Sequence, residues 1–169
     1  MNEDEAAHLH TVALGLGSNL GDRDANLRAA LARLAPAVTI ARISAIYDTA
    51  PMLVTAQPRF HNIACIGHTT LAPLALLRHT KAVEAAVGRT PGIRYGPRVV
   101  DIDILFYDDL TLDTPELRIP HPRIAERAFV LAPLAEITPD LRHPALNATM
   151  AELARALPPA DVIRCGHLF

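Results

Sequence analysis

The chain has 169 residues, of which 50% are hydrophobic and 20% are charged, and its formal net charge is −2 at pH 7. This length suffices for one domain with a sizeable core, so we expect a flexible tail at residues 1–10 and a single domain at residues 11–169. The composition excludes a disordered chain, and no apolar run is long enough for a membrane-spanning helix. A charge so close to zero argues against a nucleic-acid-binding protein that relies on bulk positive charge.

Arginine supplies nearly all of the positive charge, since Lys81 is the single lysine among 16 basic residues. Codon bias in the genome would produce this skew. Selection for guanidinium groups would produce it too, because their planar fork of donors binds phosphate or carboxylate oxygens in pairs. Composition alone leaves both explanations open.

The cysteines and histidines give little indication of a transition-metal site. Cys65 and Cys165 lie far apart and lack metal-ligand spacing, which favours a reduced, cytoplasmic setting over a disulfide or zinc framework. Six histidines form no ligand set in the sequence and are expected at the surface or in structural hydrogen bonds: His8, His10, His68, His79, His143 and His167.

The hydrophobic pattern predicts a mixture of strands and helices. Four segments have the alternating or β-branched character of strands, namely residues 11–17, 38–47, 60–67 and 99–107. Four others are predicted to be helical, namely residues 24–35, 71–88, 129–137 and 149–157. Gly88 lies where a left-handed cap would end the second helix. These elements predict an α+β fold with about four strands and a few helices.

The alternation within residues 99–107 places Asp101 and Asp103 on one face of the predicted strand. The opposite face carries apolar side chains, those of Val100, Ile102, Ile104 and Phe106. Two adjacent carboxylates repel each other and lose hydration unless a cation lies between them, and their hard oxygens suit Mg²⁺. The pattern therefore indicates a divalent-metal site, although two acids on a solvated edge strand would have the same spacing.

Three arginines precede these acids in a loop rich in glycine and proline. Arg89, Arg94 and Arg98 lie within ten residues of one another in the sequence and just before Asp101. Arginine and bound Mg²⁺ together neutralise polyphosphate oxygens, which is what a phosphoryl-transfer site requires. The cluster predicts a site for a nucleoside triphosphate, and the simpler alternative is an ion pair between Arg98 and Asp101.

Residues 94–105, RYGPRVVDIDIL, closely resemble the R-W-G-P-R-x-x-D-L-D-I-L signature of the 6-hydroxymethyl-7,8-dihydropterin pyrophosphokinase family. Three further blocks resemble the same family in the same order. They are LGSNLGD at 16–22, QPRFHN at 57–62, and PHPR at 120–123 with ERAFVLAPL at 126–134. The four blocks cover most of residues 11–140, and the first signature is long, so the resemblance is specific.

The resemblance implies a ferredoxin-like fold with three layers, α/β/α, around a mainly antiparallel sheet. It implies an ATP-dependent diphosphokinase of folate biosynthesis, which we expect to be a cytoplasmic monomer that binds neither nucleic acid nor membranes. The implied reaction transfers pyrophosphate from ATP to the hydroxymethyl group of 6-hydroxymethyl-7,8-dihydropterin and releases AMP. ATP is the co-substrate, and two Mg²⁺ ions are the expected cofactors.

The resemblance also assigns site residues, position by position. Asp101 and Asp103 match the metal ligands, and with Arg89 and Arg98 they form the expected catalytic set. The positions that match ATP contacts are Leu77, Arg89, Arg94, Arg98, Ile104, His121 and Arg127. The positions that match pterin contacts are Thr49, Ala50, Met52, Phe60, Asn62 and Phe129.

The residues themselves support one of these assignments. Phe60 and Phe129 lie beside Asn62 and Arg127 rather than inside apolar runs, which permits a flat heterocycle to stack on either ring. The alternative is that both rings are buried in the core, which is the more common position of a phenylalanine.

Two other function classes stay open. A binding module of the same fold that has lost catalysis would keep the nucleotide or pterin pocket, although Arg98, Asp101, Asp103 and His121 together favour an active enzyme. An RNA-binding α+β domain would use the arginines, but it would also need exposed aromatic residues on its sheet and a basic surface. Release of AMP that requires the pterin distinguishes the three classes.

Overall fold

The computed structural model describes residues 7–88 and 96–169. Its strands are β1 (His10–Ser18), β2 (Val38–Ile43), β3 (Tyr47–Thr49), β4 (Phe60–Thr69), β5 (Asp101–Tyr107), β6 (Leu112–Asp113), β7 (Arg118–Ile119) and β8 (Val162–Arg164). Its helices are α1 (Arg23–Leu34), α2 (Pro73–Val87), α3 (Ala128–Ile137) and α4 (Met150–Ala156), with a 3₁₀ turn at Ile124–Glu126. β1 begins at His10, which the sequence assigns to the tail, and residues 1–6 lie outside the described residues.

The main sheet is antiparallel in all of its described pairings and has six strands. Its order is β5-β1-β4-β3-β8, and β2 also pairs with β4. The prediction of a mainly antiparallel sheet is confirmed, whereas the predicted count of about four strands is too low. β6 and β7 form a separate two-stranded hairpin.

Two local features account for the additional strands. The predicted strand 38–47 is divided, because the Ala64 N–H donates to Ser44 Oγ at 3.0 Å and the Ala45 N–H donates to Glu136 Oε2 at 2.7 Å. Between β2 and β3 the Ser44 N–H still donates to Ala64 O at 2.9 Å, and the two side-chain contacts satisfy neighbouring backbone donors. β8 is short and largely exposed, and only its pairing with β3 defines it as a strand.

Helices cover both faces of the sheet, and each face has its own apolar core. On one face, Leu14 and Leu16 of β1 are buried against α1 and α2. On the other face, Ala13 and Phe106 pack against α3 and against Met150 of α4. Successive side chains of a strand point to opposite faces, which explains this division. Full burial of a leucine such as Leu14 stabilises the fold by about 1.5–3 kcal/mol.

The helices begin and end at residues suited to those positions. Asp22 Oδ1 accepts the Ala25 N–H at 3.0 Å at the start of α1, and Thr149 and Glu152 form a capping box at the start of α4. Gly88 ends α2 with φ of 121°, a value that favours glycine, so its predicted role as a cap is confirmed. In the described ranges no helix has both the length and the apolar character needed to cross a bilayer.

One predicted strand face is wrong at its end. The sequence places Phe106 on the same face as Ile104, but Phe106 belongs to the core beneath α3 and Ile104 to the core beneath α1 and α2. The cause is a shift of register between β1 and β5, where Ala13 lies opposite Phe106 and Leu14 lies opposite Ile104. Such a bulge adds one residue to a strand and reverses the alternation beyond it.

Candidate active site

A cavity of about 290 Å³ lies on the α3 side of the sheet, where β1, β4 and β5 run side by side. Its size is close to the lower end of the range for small-molecule sites. It is lined by most of the predicted site residues, namely Thr49, Ala50, Met52, Phe60, Asn62, Arg98, Asp101, Asp103, His121, Arg127 and Phe129. Leu16 and Gly17 of the LGSNLGD block also line it, so the structure brings together residues from all four sequence blocks.

Two glycines of β1 form the part of the cavity wall that separates its two ends. Gly17 pairs with Asn62 of β4 on one side and with Asp101 of β5 on the other. Because β1 lies between β4 and β5, and adjacent strands are about 5 Å apart, the backbones of Asn62 and Asp101 are about 10 Å apart. A Cβ atom on Gly17 would lie 2.5 Å from Asn62 Oδ1, so this position admits no side chain unless Asn62 moves. Gly15 and Gly17 both line the cavity, and the sequence prediction did not include them.

The charged end of the cavity contains the two carboxylates. Burial, and then the neighbouring charge of Asp101, raise the pKa of Asp103 from 3.8 to about 7. The carboxylate of Glu84 contributes in the same direction, and Arg127 and Lys81 act in the opposite direction. A carboxylate whose ionised form is disfavoured in this way is stabilised by a bound cation. Asp101 and Asp103 are therefore a donor set that fits a hard divalent ion such as Mg²⁺.

Arg127 places a guanidinium group at the charged end, and one of its N–H donors lacks an acceptor within the described part of the chain. Its Nε atom is buried and has no hydrogen-bond partner among the described residues. The guanidinium carbon lies 5.5 Å from the centroid of the Phe129 ring. Burying a guanidinium N–H without an acceptor is costly, so this side of the cavity suits an anionic ligand.

His121 lines the same end of the cavity in its neutral form. Its Nδ1 accepts the Arg123 N–H at 3.2 Å, which leaves Nε2 to carry the proton. Burial, and then the positive charge of Arg127, lower the pKa of His121 from 6.5 to about 4. At neutral pH this imidazole is therefore a hydrogen-bond donor without positive charge.

The other end of the cavity is neutral, and its polar groups are paired with each other. Asn62 Nδ2 donates to Thr49 Oγ1 at 2.7 Å, and the two residues are 8% and 2% exposed. Phe60 and Phe129 are each partly exposed and line the cavity, which excludes the alternative that both rings lie in the closed core.

Asn19 links the two ends, and the sequence prediction did not single it out. Its side chain accepts the Arg98 N–H at 2.7 Å and donates to Pro58 O at 2.9 Å and to Gln57 Oε1 at 3.0 Å. Asn19 is only 2% exposed, so these bonds are shielded from water. Asn19 belongs to the LGSNLGD block that resembles the family. Its hydrogen-bond partners lie 38 to 79 residues away in the sequence, so the block alone did not indicate what Asn19 does.

Some predicted residues lie elsewhere. Leu77 and Ile104 pack in or against the core beneath α1 and α2 and are not among the residues that line the cavity. Their assignment to adenine contacts stays a prediction. Arg89 and Arg94 lie outside the described residues. Arg123 and Gln57 line the cavity although the sequence prediction did not name them as contacts.

Sequence comparison with known proteins identifies the family that the sequence motifs resemble. The family described as 7,8-dihydro-6-hydroxymethylpterin-pyrophosphokinase matches residues 13–139. A 2-amino-4-hydroxy-6-hydroxymethyldihydropteridine pyrophosphokinase of Bacillus subtilis is 44% identical over 137 residues, which make up 80% of this chain and 82% of that protein. A mitochondrial folate synthesis bifunctional protein of Arabidopsis thaliana is 48% identical over 129 residues, 76% of this chain and 23% of that protein.

Solved structures show the same fold. A crystal structure of Plasmodium falciparum HPPK-DHPS has a TM-score of 0.75 and 18% sequence identity, and the match covers 89% of this chain and 46% of that one. The chain thus spans about a quarter of the length of the Arabidopsis relative and about half of the Plasmodium chain. On the match over residues 13–139 and the identity to the Bacillus enzyme, the chain belongs to the 7,8-dihydro-6-hydroxymethylpterin-pyrophosphokinase family.

Proposed function

We propose that this chain transfers pyrophosphate from ATP to 6-hydroxymethyl-7,8-dihydropterin in folate biosynthesis. The hydroxymethyl oxygen of the pterin attacks the β-phosphorus of ATP, and the bond from that phosphorus to the oxygen bridging the α-phosphate breaks. AMP leaves with the bridging oxygen, and the hydroxyl proton passes to solvent. The products are AMP and the pterin diphosphate.

The observation that carries this proposal is the division of one cavity into a charged end and a neutral end. Asp101, Asp103 and Arg127 lie at one end, and Thr49 and Asn62 lie at the other. The backbone separation of about 10 Å between Asn62 and Asp101 would allow a neutral heterocycle and a polyphosphate to bind side by side. A site for one substrate alone would not need both kinds of surface.

Asp101 and Asp103 are the residues that would hold Mg²⁺, and we expect two ions. When bound, Mg²⁺ withdraws charge from the phosphate oxygens and orients the polyphosphate. Arg98 and Arg127 bind the phosphates directly, and the unpartnered Nε of Arg127 gains an acceptor. His121 donates from Nε2 to a phosphate oxygen.

At the neutral end, Phe60 and Phe129 would hold the pterin ring between them, and Asn62, Thr49 and the backbone at Ala50 and Met52 would bind its polar edge. The remaining assignments also belong to this proposal. They are phosphate contacts by Arg89 and Arg94 and adenine contacts by Leu77 and Ile104.

The proposal includes the organisation of the molecule. Residues 11–169 form a single domain of the ferredoxin-like three-layer α/β/α type, which the separate cores on the two sheet faces support. The enzyme acts as a cytoplasmic monomer on small molecules, without nucleic acid or membrane partners. The two cysteines, which are free thiols, fit a reducing compartment.

The decisive experiment measures AMP and pterin diphosphate after the protein is mixed with ATP, Mg²⁺ and 6-hydroxymethyl-7,8-dihydropterin. We expect equal amounts of both products and no AMP when the pterin is omitted. Binding of ATP and pterin without AMP release would instead indicate the module that has lost catalysis. Release of ADP or pterin-independent hydrolysis would contradict pyrophosphoryl transfer.

A further inference from the structure

A second group of metal-binding side chains lies at the opposite end of β1 from the cavity. His8 precedes the strand, His10 is its first residue, and Asp108 follows the last residue of β5. Seven residues of extended chain separate His10 from Gly17, which corresponds to about 23 Å. The group is therefore remote from Asp101 and Asp103.

The three side chains converge on one point. One ligand atom from each of His8, His10 and Asp108 lies within 4.8 Å of the other two. His10 Nδ1 is 2.6 Å from Asp108 Oδ2, and the rings of His8 and His10 are 4.5 Å apart at their centroids. Within the described residues this is the one group of three or more such side chains that meets the geometric requirement for a metal ion.

The carboxylate of Asp108 is held in place by the backbone of β1. Asp108 Oδ1 accepts the Thr11 N–H at 2.8 Å, and the Asp108 N–H donates to Thr11 O at 2.7 Å. Asp108 Oδ2 is thereby directed toward His10. The ring of His10 also packs at 4.7 Å from the ring of Tyr107, which restricts its rotation. Two of the three ligands are thus positioned before any ion binds.

We propose that His8, His10 and Asp108 form a binding site for a divalent transition ion of the Zn²⁺ type. Two imidazoles and one carboxylate suit Zn²⁺, whereas Mg²⁺ takes oxygen ligands. Bonds of about 2.0–2.2 Å bring tetrahedral ligands to about 3.4 Å from each other, so His8 must approach its neighbours. His8 is exposed and has the freedom to do so. A water molecule completes four ligands.

Binding replaces the hydrogen bond between His10 and Asp108 with two bonds to the metal, and the single ring proton of the neutral imidazole then lies on Nε2, because Nδ1 is a metal ligand. The ion also ties residue 8 to the end of β5, which joins the start of the chain's first strand to the edge strand of the sheet. The expected consequence is a higher melting temperature with Zn²⁺, because the ion binds the folded protein alone.

The test is calorimetric titration of the full chain with Zn²⁺ in excess Mg²⁺, which keeps Asp101 and Asp103 occupied. We expect one Zn²⁺ per chain, affinity reduced at least tenfold in His8→Ala, and no binding in His10→Ala or Asp108→Asn. His68→Ala is the matched control, because His68 is near Thr11 but outside the group, and it should bind like the parent.

Substitution with Co²⁺ gives a readout that does not depend on folding energy or enzyme activity. Tetrahedral coordination by imidazole nitrogen and carboxylate oxygen produces visible absorption bands, which should vanish in Asp108→Asn and persist in His68→Ala. Asparagine keeps the oxygen that accepts the Thr11 N–H, so the fold is retained. Unchanged Zn²⁺ binding in His8→Ala, equal losses in the His68 variant, or no binding by the parent would overturn the proposal.

Discussion

The two ends of the cavity differ in how completely their polar groups are satisfied in the protein itself. At the neutral end, Asn62 and Thr49 bond to each other. At the charged end, Asp103 has a raised pKa and the Nε of Arg127 has no partner in the part of the chain that the structure describes. The neutral end thus has an internal hydrogen bond before any ligand binds, whereas the charged end would become electrostatically balanced only on binding the proposed phosphate and metal.

Because of this difference, we expect substitutions at the charged end to affect mainly the reaction rate and substitutions at the neutral end to affect mainly the stability of the fold. Removing a charged carboxylate should strongly reduce the reaction rate while leaving the fold as stable as before, or more so, because repulsion and desolvation disappear with it. Removing a group from the neutral pair should weaken the fold itself, because its partner is left buried without a hydrogen bond.

Asp103→Asn should have the largest effect. We expect AMP release to fall by about 10²–10³-fold, because one carboxylate of the metal pair is lost. The free energy of unfolding should stay the same or rise, because a partly buried charge that repels Asp101 is removed. Product analysis and denaturant unfolding of the same preparation measure both quantities.

Asp113→Asn is the matched control for that variant. Asp113 is an exposed strand residue of β6 that pairs with Arg118 at 3.1 Å, and it is not among the residues that line the cavity. It should change neither AMP release nor stability. Near-normal AMP release by Asp103→Asn would exclude Asp103 as a metal ligand, and a strong loss of stability would show that its role is structural.

Thr49→Val should reveal the opposite behaviour at the neutral end. The substitution keeps the shape of the side chain but leaves Asn62 Nδ2 without its acceptor. We expect the free energy of unfolding to fall by about 1–3 kcal/mol. The KM for the pterin should rise while the KM for ATP stays unchanged. Steady-state kinetics with each substrate varied in turn distinguish the two.

Thr39→Val in β2 provides the comparison, because Thr39 is exposed and its hydroxyl is available to water. That variant should keep the stability and both KM values of the parent. If Thr49→Val raised the KM for ATP as strongly as that for the pterin, the division of the cavity into two ends would be wrong.

Local patterns were sufficient to predict much of the scaffold. The periodicity of α1 and α2, the cap at Gly88 and the shared face of Asp101 and Asp103 all depend on residues close together in sequence. The resemblance to the family then identified about half of the residues that line the cavity, because its motifs encode positions that no local pattern reveals.

Contacts between distant segments account for what the sequence did not predict. Phe106 changed faces because β5 bulges against β1, and β8 exists only through its pairing with β3. Asn19 acquired its linking role from Arg98 and Gln57. The sequence spacing of the histidines predicted no ligand set. In the structure His10 lies beside Asp108, 98 residues away in the sequence, and a contact at that separation has no local pattern.

The smallest expected effect concerns the pH dependence of stability in protein stripped of metal with EDTA. Between pH values of about 4 and 7, the folded protein holds a proton on Asp103 that the unfolded chain releases, because burial and Asp101 raise this pKa. Stability from this group therefore falls as pH rises through that window. His121 acts in the opposite direction, because its pKa is lowered to about 4 and the unfolded chain binds the extra proton.

Comparing the parent with Asp103→Asn isolates the first contribution, since both proteins keep His121. Between about pH 5 and about pH 8 the parent should lose several degrees of melting temperature relative to the variant, because the folded carboxyl keeps its proton up to about pH 7 and the unfolded one does not. Excess Mg²⁺ at the higher pH should restore the parent and have less effect on the variant, because the ion binds the ionised pair. Parallel pH profiles in EDTA would show that Asp103 is already ionised without metal, and the contrast between the two ends would then rest on Arg127 alone.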